Sequence, residues 1–325
     1  MRIDPILAQL RRDPAPQLRA QTVLEAVRNG WFMGPEAAPL LDDLDRYGAG
    51  AAFAECRALG AIFSEPALAR RLIDALVRPM IAALRENPLG HVPLRHQFTP
   101  GLMILQLAGA GRAALSLICY EARPSGGELA RTVCFAGGER RELCLAGAAE
   151  ARVFEILHEE PGRADLDCDH RLIGPGDVLT FAGGRDTKLV DRARDRMAML
   201  RLSRSDAEPL AAREYRIADG VLVHRASGDR AESRDEMAAA VLGAMGRADA
   251  APVLAGIARE PGSDHFRWQA LCQALALDTA SGFGALGDIA ASHSDALAPQ
   301  AGALRASLIE RHPVLASWSA PCPAS

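Results

Sequence analysis

The spacing of apolar residues changes twice along the chain. As far as Pro88 apolar positions recur every three to four residues; they then alternate with polar ones to about Ala226, and the helical spacing returns after that. This divides the chain into an N-terminal helical region (1–90), an antiparallel β domain (91–226) and a second helical region (227–325). In the first region, Ile6, Leu7 and Leu10 predict a short helix. Leu18, Val23, Leu24 and Val27 predict a second, closed by Asn29-Gly30. Leu40, Leu41 and Leu44 predict a third with Pro35 in its first turn, and Ala51 to Leu59 a fourth. Ser64 as N-cap and Pro66 in the first turn open the longest helix, whose apolar stripe is Leu68, Leu72, Ile73, Leu76 and Val77. Pro79 is expected to kink or divide it. Trp31-Phe32-Met33 is expected in an interhelical loop, plugging the junction of two helices rather than forming a docking patch.

From His96 the alternating pattern predicts strands at Leu102 to Leu107 and Ala113 to Tyr120, joined by a glycine turn. Arg131 to Phe135 and Arg141 to Leu145 flank Gly137-Gly138 and predict a hairpin. Further strands are expected at Ala151 to Leu157, Leu166 to Ile173, Val178 to Phe181, Asp186 to Val190 and Met197 to Leu202. Glu214 to Ala218 and Val221 to His224 predict a last hairpin about Asp219-Gly220. Short strands without helices between them mean an antiparallel sandwich or barrel, with a jelly roll as first choice.

The stretch Leu172 to Gly184 reads as strand, Gly174-Pro175-Gly176-Asp177 turn, strand, and a second turn at Gly183-Gly184. It resembles the second motif of the cupin family: a glycine, five residues, Pro-x-Gly, two residues, a metal-binding histidine, three residues and Asn. Gly176 and Gly184 take the two glycine positions, Ala182 stands where Pro is expected, and Asp191 stands for Asn. Thr187 stands where the histidine belongs, and the family's first motif, with its His-x-His, is absent from the chain. The resemblance therefore implies a cupin-like β domain more than it implies that family's metal chemistry.

Imidazole and carboxylate groups remain that could form a different ligand set: His96, His158, Glu159, Asp169 and His170. Asp165, Asp167 and Asp169 alternate, so on a strand they share one face, either for a hard cation or as a solvated edge. Ser116, Cys119, Cys134 and Cys144 lie in apolar strands and read as core. No nucleophile elbow or phosphate-binding glycine loop occurs. Lys188 is the only lysine in an otherwise arginine-based chain; genome bias is the expected reason, a catalytic amine the alternative.

In the last region Ser233-Arg234-Asp235-Glu236 reads as a capping box, followed by Met237, Val241, Leu242 and Met245 on one helical face. The pattern Val253-Leu254-x-x-Ile257-Ala258 returns 32 residues later as Ala285-Leu286-x-x-Ile289-Ala290, and Ala270-Leu271-x-x-Ala274-Leu275 returns 33 residues later from Ala303. This helix-hairpin repeat resembles HEAT-like solenoids, which implies a partner-binding surface. Arg267 and Trp268 are the residue types favoured at interface hot spots and are the candidate partner-binding residues, with helix packing as the alternative, since Trp268 falls at the position of Ala301 in the other unit.

The fold class expected is thus α+β, a cupin-like antiparallel β-barrel or sandwich flanked by N-terminal helices and a C-terminal HEAT-like region. A net charge of -4 and an aromatic fraction of 5% argue against nucleic acid and anionic membranes as partners. Seven scattered cysteines without a C-x-x-C pair, no leader peptide and no long apolar run point to the cytoplasm. The expected function is a non-catalytic binding or regulatory protein. It would contact a protein partner or a second copy of itself through the helices and hold a small molecule in the β domain, with no cofactor. The alternative is a metal-dependent cupin-type oxygenase or isomerase using a divalent metal.

Overall fold

The computed structural model describes residues 13–122 and 129–319. The helix expected from Ile6, Leu7 and Leu10 lies outside the described residues. The chain forms two compact units: one runs to Glu208 and includes Glu214–Val223, and the other comprises Pro209–Arg213 and the chain from His224. The expected N-terminal helical region and most of 91–226 therefore fall in one unit, where the helices and the six-stranded sheet share a core. No helix among the described residues is long and apolar enough to cross a membrane.

The first unit begins with helices α1 (Ala15–Phe32), α2 (Ala38–Ala49), α3 (Arg57–Ser64) and α4 (Pro66–Glu86). Helix α1 runs through Asn29-Gly30 instead of ending there. Trp31 on the next turn is buried and donates its indole N–H to the Leu72 carbonyl of α4 at 3.0 Å, which holds the last turn in place. Trp31 and Phe32 are thus helical, and Trp31 does plug a helix junction. Pro35 precedes α2, whose first turn holds Pro39 instead. The helix expected from Ala51 is broken into a 3₁₀ turn (Phe53–Glu55) and α3, because Asp43 of α2 accepts the Ala58 N–H at 2.6 Å and so caps α3 from outside. Ser64 ends α3, and Glu65 occupies the N-cap position of α4. Helix α4 continues past Pro79. Leu72, Ile73 and Leu76 before it, and Met80 and Ala83 after it, bury one unbroken stripe, which outweighs the lost hydrogen bond.

Among the described residues twelve strands follow: β1 (His96–Thr99), β2 (Leu102–Ala110), β3 (Ala113–Glu121), β4 (Thr132–Phe135), β5 (Glu139–Ala146), β6 (Ala149–Glu160), β7 (Arg163–Ile173), β8 (Val178–Ala182), β9 (Asp186–Ala193), β10 (Arg196–Arg204), β11 (Ala212–Arg216) and β12 (Leu222–Ala226). They form a six-stranded sheet β1-β2-β3-β10-β5-β8 and two three-stranded sheets, β7-β6-β9 and β12-β11-β4. Among the described residues only an isolated bridge, Arg163 with Val221, joins one ladder to another, so the expected architecture is realised as packed antiparallel sheets and not as a closed barrel. One face of the six-stranded sheet, with Leu107, Leu115, Leu143, Leu145, Leu200 and Leu202, packs on α1 to α4. The other meets β6, β7 and β9 through Cys144, Ala151, Ile173, Phe181, Met197 and Met199.

Glycine turns carry the chain from sheet to sheet. Gly137-Gly138 does not close a hairpin: β4 and β5 end in different sheets. Gly138 has φ +95°, and a Cβ there would sit 2.4 Å from the Arg204 carbonyl oxygen. Asp177 accepts the Gly174 N–H at 2.8 Å and closes the Gly-Pro-Gly-Asp turn between β7 and β8. Cys134 is exposed rather than in the core; Cys144 is buried as expected.

The second unit contains α5 (Arg230–Ala244), α6 (Ala251–Arg259), α7 (Asp264–Leu277), α8 (Thr279–Ala291) and α9 (Ala298–Arg311). Helix α5 starts a turn earlier than expected, with Asp229 as N-cap accepting the Ala231 and Glu232 N–H groups at 2.8 and 2.9 Å. Its expected apolar face is turned outward: Met237, Val241 and Met245 are exposed, whereas Ala239 is buried. The recurring patterns fall on α6 and α8 and on α7 and α9; Leu254, Leu271 and Leu286 are buried in one core, with Leu304 partly buried against it.

Candidate functional site

In β5 and β10 the alternation that buries leucines toward the helices sends the other residues between the sheets. On that inward face Cys144 is preceded at two-residue steps by Glu142 and Arg140, and Met199 is followed by Arg201 and Ser203. The ladder sets Arg201 directly opposite Glu142. Lys188 enters from β9 of the facing sheet. Four charged side chains are therefore built into a sandwich interior, where an apolar residue is the default.

Glu142 is fully buried and sits among three cations. Lys188 Nζ lies 2.6 Å from its Oε2, Arg201 Nε 2.6 Å from Oε1, and Arg140 Nε 3.4 Å from Oε1. Burial pushes the Glu142 carboxyl up, but Lys188, Arg201 and Arg140 together overcome that and hold it at about 2. Lys188 is 3% exposed, donates to the Tyr120 hydroxyl at 3.2 Å, and stands 5.0 Å from the Tyr120 ring centroid. Arg140 stacks over Phe181 at 4.5 Å and reaches Thr187 Oγ1 with Nη2 at 3.4 Å.

The cluster backs a cavity of about 200 Å³ lined by Gly137, Gly138, Arg140, Phe181, Arg201 and Ser203, with Glu139, Asp186 and Arg204 also on its wall. Glu139 is already engaged: it accepts the Tyr47 hydroxyl at 2.7 Å and Arg204 Nη2 at 2.8 Å. Burial pushes the Tyr47 phenol well above its usual range, and the bond to Glu139 adds to this. Burial raises the Asp186 carboxyl, although its Oδ1 accepts the Ala182 N–H at 2.8 Å.

The residues singled out from sequence lie elsewhere. His96 is exposed on β1, with Nδ1 3.0 Å from the Leu94 carbonyl. His158 and His170 share the β6–β7 hairpin, but His158 is opposite Asp165 and His170 opposite Arg152, six positions further along β6. At ~3.4 Å per residue that is roughly 20 Å. Glu159 accepts the Tyr215 hydroxyl at 2.6 Å, and Asp169 accepts Arg171 Nε at 2.7 Å. The five do not converge, and among the described residues no group of three or more His, Cys, Asp or Glu could hold a metal ion. Asp165, Asp167 and Asp169 are exposed on β7, an edge strand, as a solvated edge would be. Thr187, at the cupin histidine position, is buried beside Arg140, and the next residue is Lys188.

Arg267 and Trp268 are not exposed hot spots. Arg267 is buried, donates Nε to the Ala258 carbonyl at 3.1 Å and grips Asp295 with both Nη atoms, so it ties α6, α7 and the turn before α9 together. Trp268 is partly buried against the same core.

No family model matches the chain, and no curated protein does. Solved structures similar to it include the polyketide cyclase RemF from Streptomyces resistomycificus, at 14% identity and TM-score 0.25, covering 37% of this chain and 78% of that one. A cupin superfamily protein from Desulfitobacterium hafniense is 19% identical with TM-score 0.24, covering 34% of this chain and 83% of that one. The CENP-C cupin domain of Drosophila melanogaster is 10% identical with TM-score 0.27, covering 34% and 76%. Likeness at this level decides neither the fold nor the chemistry of this chain, which rest on the geometry above.

Proposed function

We propose that the chain is a non-catalytic binding or regulatory protein, in which a cupin-like β domain holds a small molecule and a HEAT-like helical region makes protein contacts. The observation that carries this reading is the charged cluster set into the sandwich interior behind a cavity. Departures from the apolar pattern that cost stability are expected where a function requires them. The groups of the cluster suit holding better than chemistry. Glu142, held at about 2, is a weak base near neutral pH, and the Lys188 ammonium is locked on its carboxylate at 2.6 Å. The metal-dependent alternative would require His96, His158, Glu159, Asp169 and His170 to meet, and they stand apart.

Supporting the protein contacts, Met237 and Val241 stand exposed on successive turns of α5 and Met245 at its C-cap. A groove of about 530 Å³ lined by Leu242, Val253, Leu254, Ile257 and Phe266 lies in the same unit. A thermal-shift screen of small polar molecules, run on the wild type and on Ser203→Leu, tests the ligand reading: hits are expected on the wild type and lost when leucine fills the cavity. Hits shared by both proteins, or none, would count against it. Size-exclusion and pull-down runs of the wild type and Val241→Glu test the helical region. A self-associated or partner-bound wild type that Val241→Glu releases is expected; neither association would remove that half of the proposal.

A further inference from the structure

We infer that the β-domain cavity binds a small oxyanion, the carboxylate or phosphate group of a compact molecule, through Arg140 and Arg201. This rests on the small-molecule reading above and narrows it. The cavity wall and the cluster behind it hold four cations, Arg140, Lys188, Arg201 and Arg204, against three carboxylates, Glu139, Glu142 and Asp186. Two pairs close on themselves, Lys188 with Glu142 at 2.6 Å and Arg204 with Glu139 at 2.8 Å. Arg140 and Arg201 share Glu142 with Lys188, and Asp186 is the remaining carboxylate of the wall. Over the wall and the cluster together the excess is one positive charge with Asp186 ionised. A cleft with low-dielectric walls focuses such an excess on whatever enters it.

The hydrogen-bond inventory agrees. Arg201 commits Nε to Glu142 at 2.6 Å, and neither of its Nη atoms donates to a protein group among the described residues. Arg140 Nε is buried with only the long ion-pair contact to Glu142 at 3.4 Å, and its Nη2 contact with Thr187 is equally long. The two side chains keep 27% and 22% exposure, on the side where the cavity lies. A guanidinium fork with open donors matches the two oxygens of a carboxylate or phosphate. Phe181 beneath Arg140, at 4.5 Å, holds its plane without taking a donor. At about 200 Å³ the space lies below the ~300–1,000 Å³ of drug-sized sites, so the ligand is compact.

Calorimetric titration of the full chain with inorganic phosphate, malonate and the neutral malonamide tests the inference. Phosphate or malonate should bind once per chain, the tighter of the two naming the source, and malonamide should not. Arg140→Met and Arg201→Met should each weaken the bound anion at least tenfold, while Arg247→Met, on an exposed pair in the other unit, should change nothing. Should Arg201→Met fail to fold, Arg140→Met leaves Glu142 its two closer partners and decides alone. Malonamide binding as tightly as malonate, or anion binding undiminished in Arg140→Met, overturns the inference. A neutral molecule bound by the wild type and lost in Ser203→Leu, with no anion bound, overturns it while leaving the small-molecule reading intact. No ligand of either kind overturns both.

Discussion

Replacing Glu142 by glutamine should damage the first unit far more than replacing its closest partner, Lys188, by methionine. Glutamine keeps the shape and removes the charge, so Lys188, 3% exposed, and the largely covered Arg140 and Arg201 are left facing one another without an anion. Removing one partner of a buried ion pair costs ~3–5 kcal/mol, chiefly because a desolvated charge is stranded. Lys188→Met leaves Glu142 on Arg201 at 2.6 Å and Arg140 at 3.4 Å, and the loss is that of one charge-assisted hydrogen bond, ~1.5–3 kcal/mol. For a unit of this size each kcal/mol lowers Tm by ~2–4 °C, so E142Q should melt roughly 10 °C below the wild type. The same carboxylate gives a pH signature. Its folded value is depressed from 4.5 to about 2, so its contribution is complete above pH 4.5 and is lost as pH falls toward about 2. At ~1.4 kcal/mol per unit that loss is about 3 kcal/mol. Urea denaturation at pH 7, 4.5 and 2.5 measures both effects. The reasoning is refuted if K188M is as damaging as E142Q, or if E142Q loses as much stability as the wild type between pH 4.5 and 2.5.

Other expectations follow from single contacts. Arg267→Met should destabilise the second unit by ~3–5 kcal/mol in urea melts, because Asp295, 15% exposed, loses its bidentate partner; the exposed Arg247→Met should leave the melt unchanged. Gly138→Ala should cost at least ~1–3 kcal/mol, since φ +95° and the Arg204 carbonyl oxygen 2.4 Å from the new Cβ both oppose it; a variant as stable as the wild type by thermal melting would contradict that geometry. Trp31→Ala should cost ~3–5 kcal/mol from lost packing, with the indole bond to the Leu72 carbonyl lost as well, and near-wild-type stability would place the ring outside the α1–α4 junction.

Most elements could be read from periodicity, and what could not was decided by side chains far away in sequence. Helix α3 starts where it does because Asp43 reaches across to Ala58, and α1 passes Asn29-Gly30 because Trp31 is anchored on α4. Neither partner lies within the window that a local pattern can see. Gly137-Gly138 has the chemistry of a hairpin, yet the chain uses it to change sheets; turn residues specify a bend and not which ladder the next strand joins. The candidate site was hidden for a related reason. His158, Glu159 and His170 attracted notice because they carry ligand chemistry close together in sequence, but β-pairing spreads them along a hairpin. Arg140, Glu142, Lys188 and Arg201 are ordinary surface types, and only knowledge of the buried face makes them unusual. A signal was present all the same. Arg140-Arg141-Glu142 runs directly into the apolar Leu143-Cys144-Leu145, Arg201 interrupts Met199-Leu200 and Leu202, and the chain's only lysine follows Thr187. In an exposed strand such a pattern marks the solvent side. In β5 and β10 both faces are covered, by helices on one side and a second sheet on the other, and in that setting the same pattern marks a site.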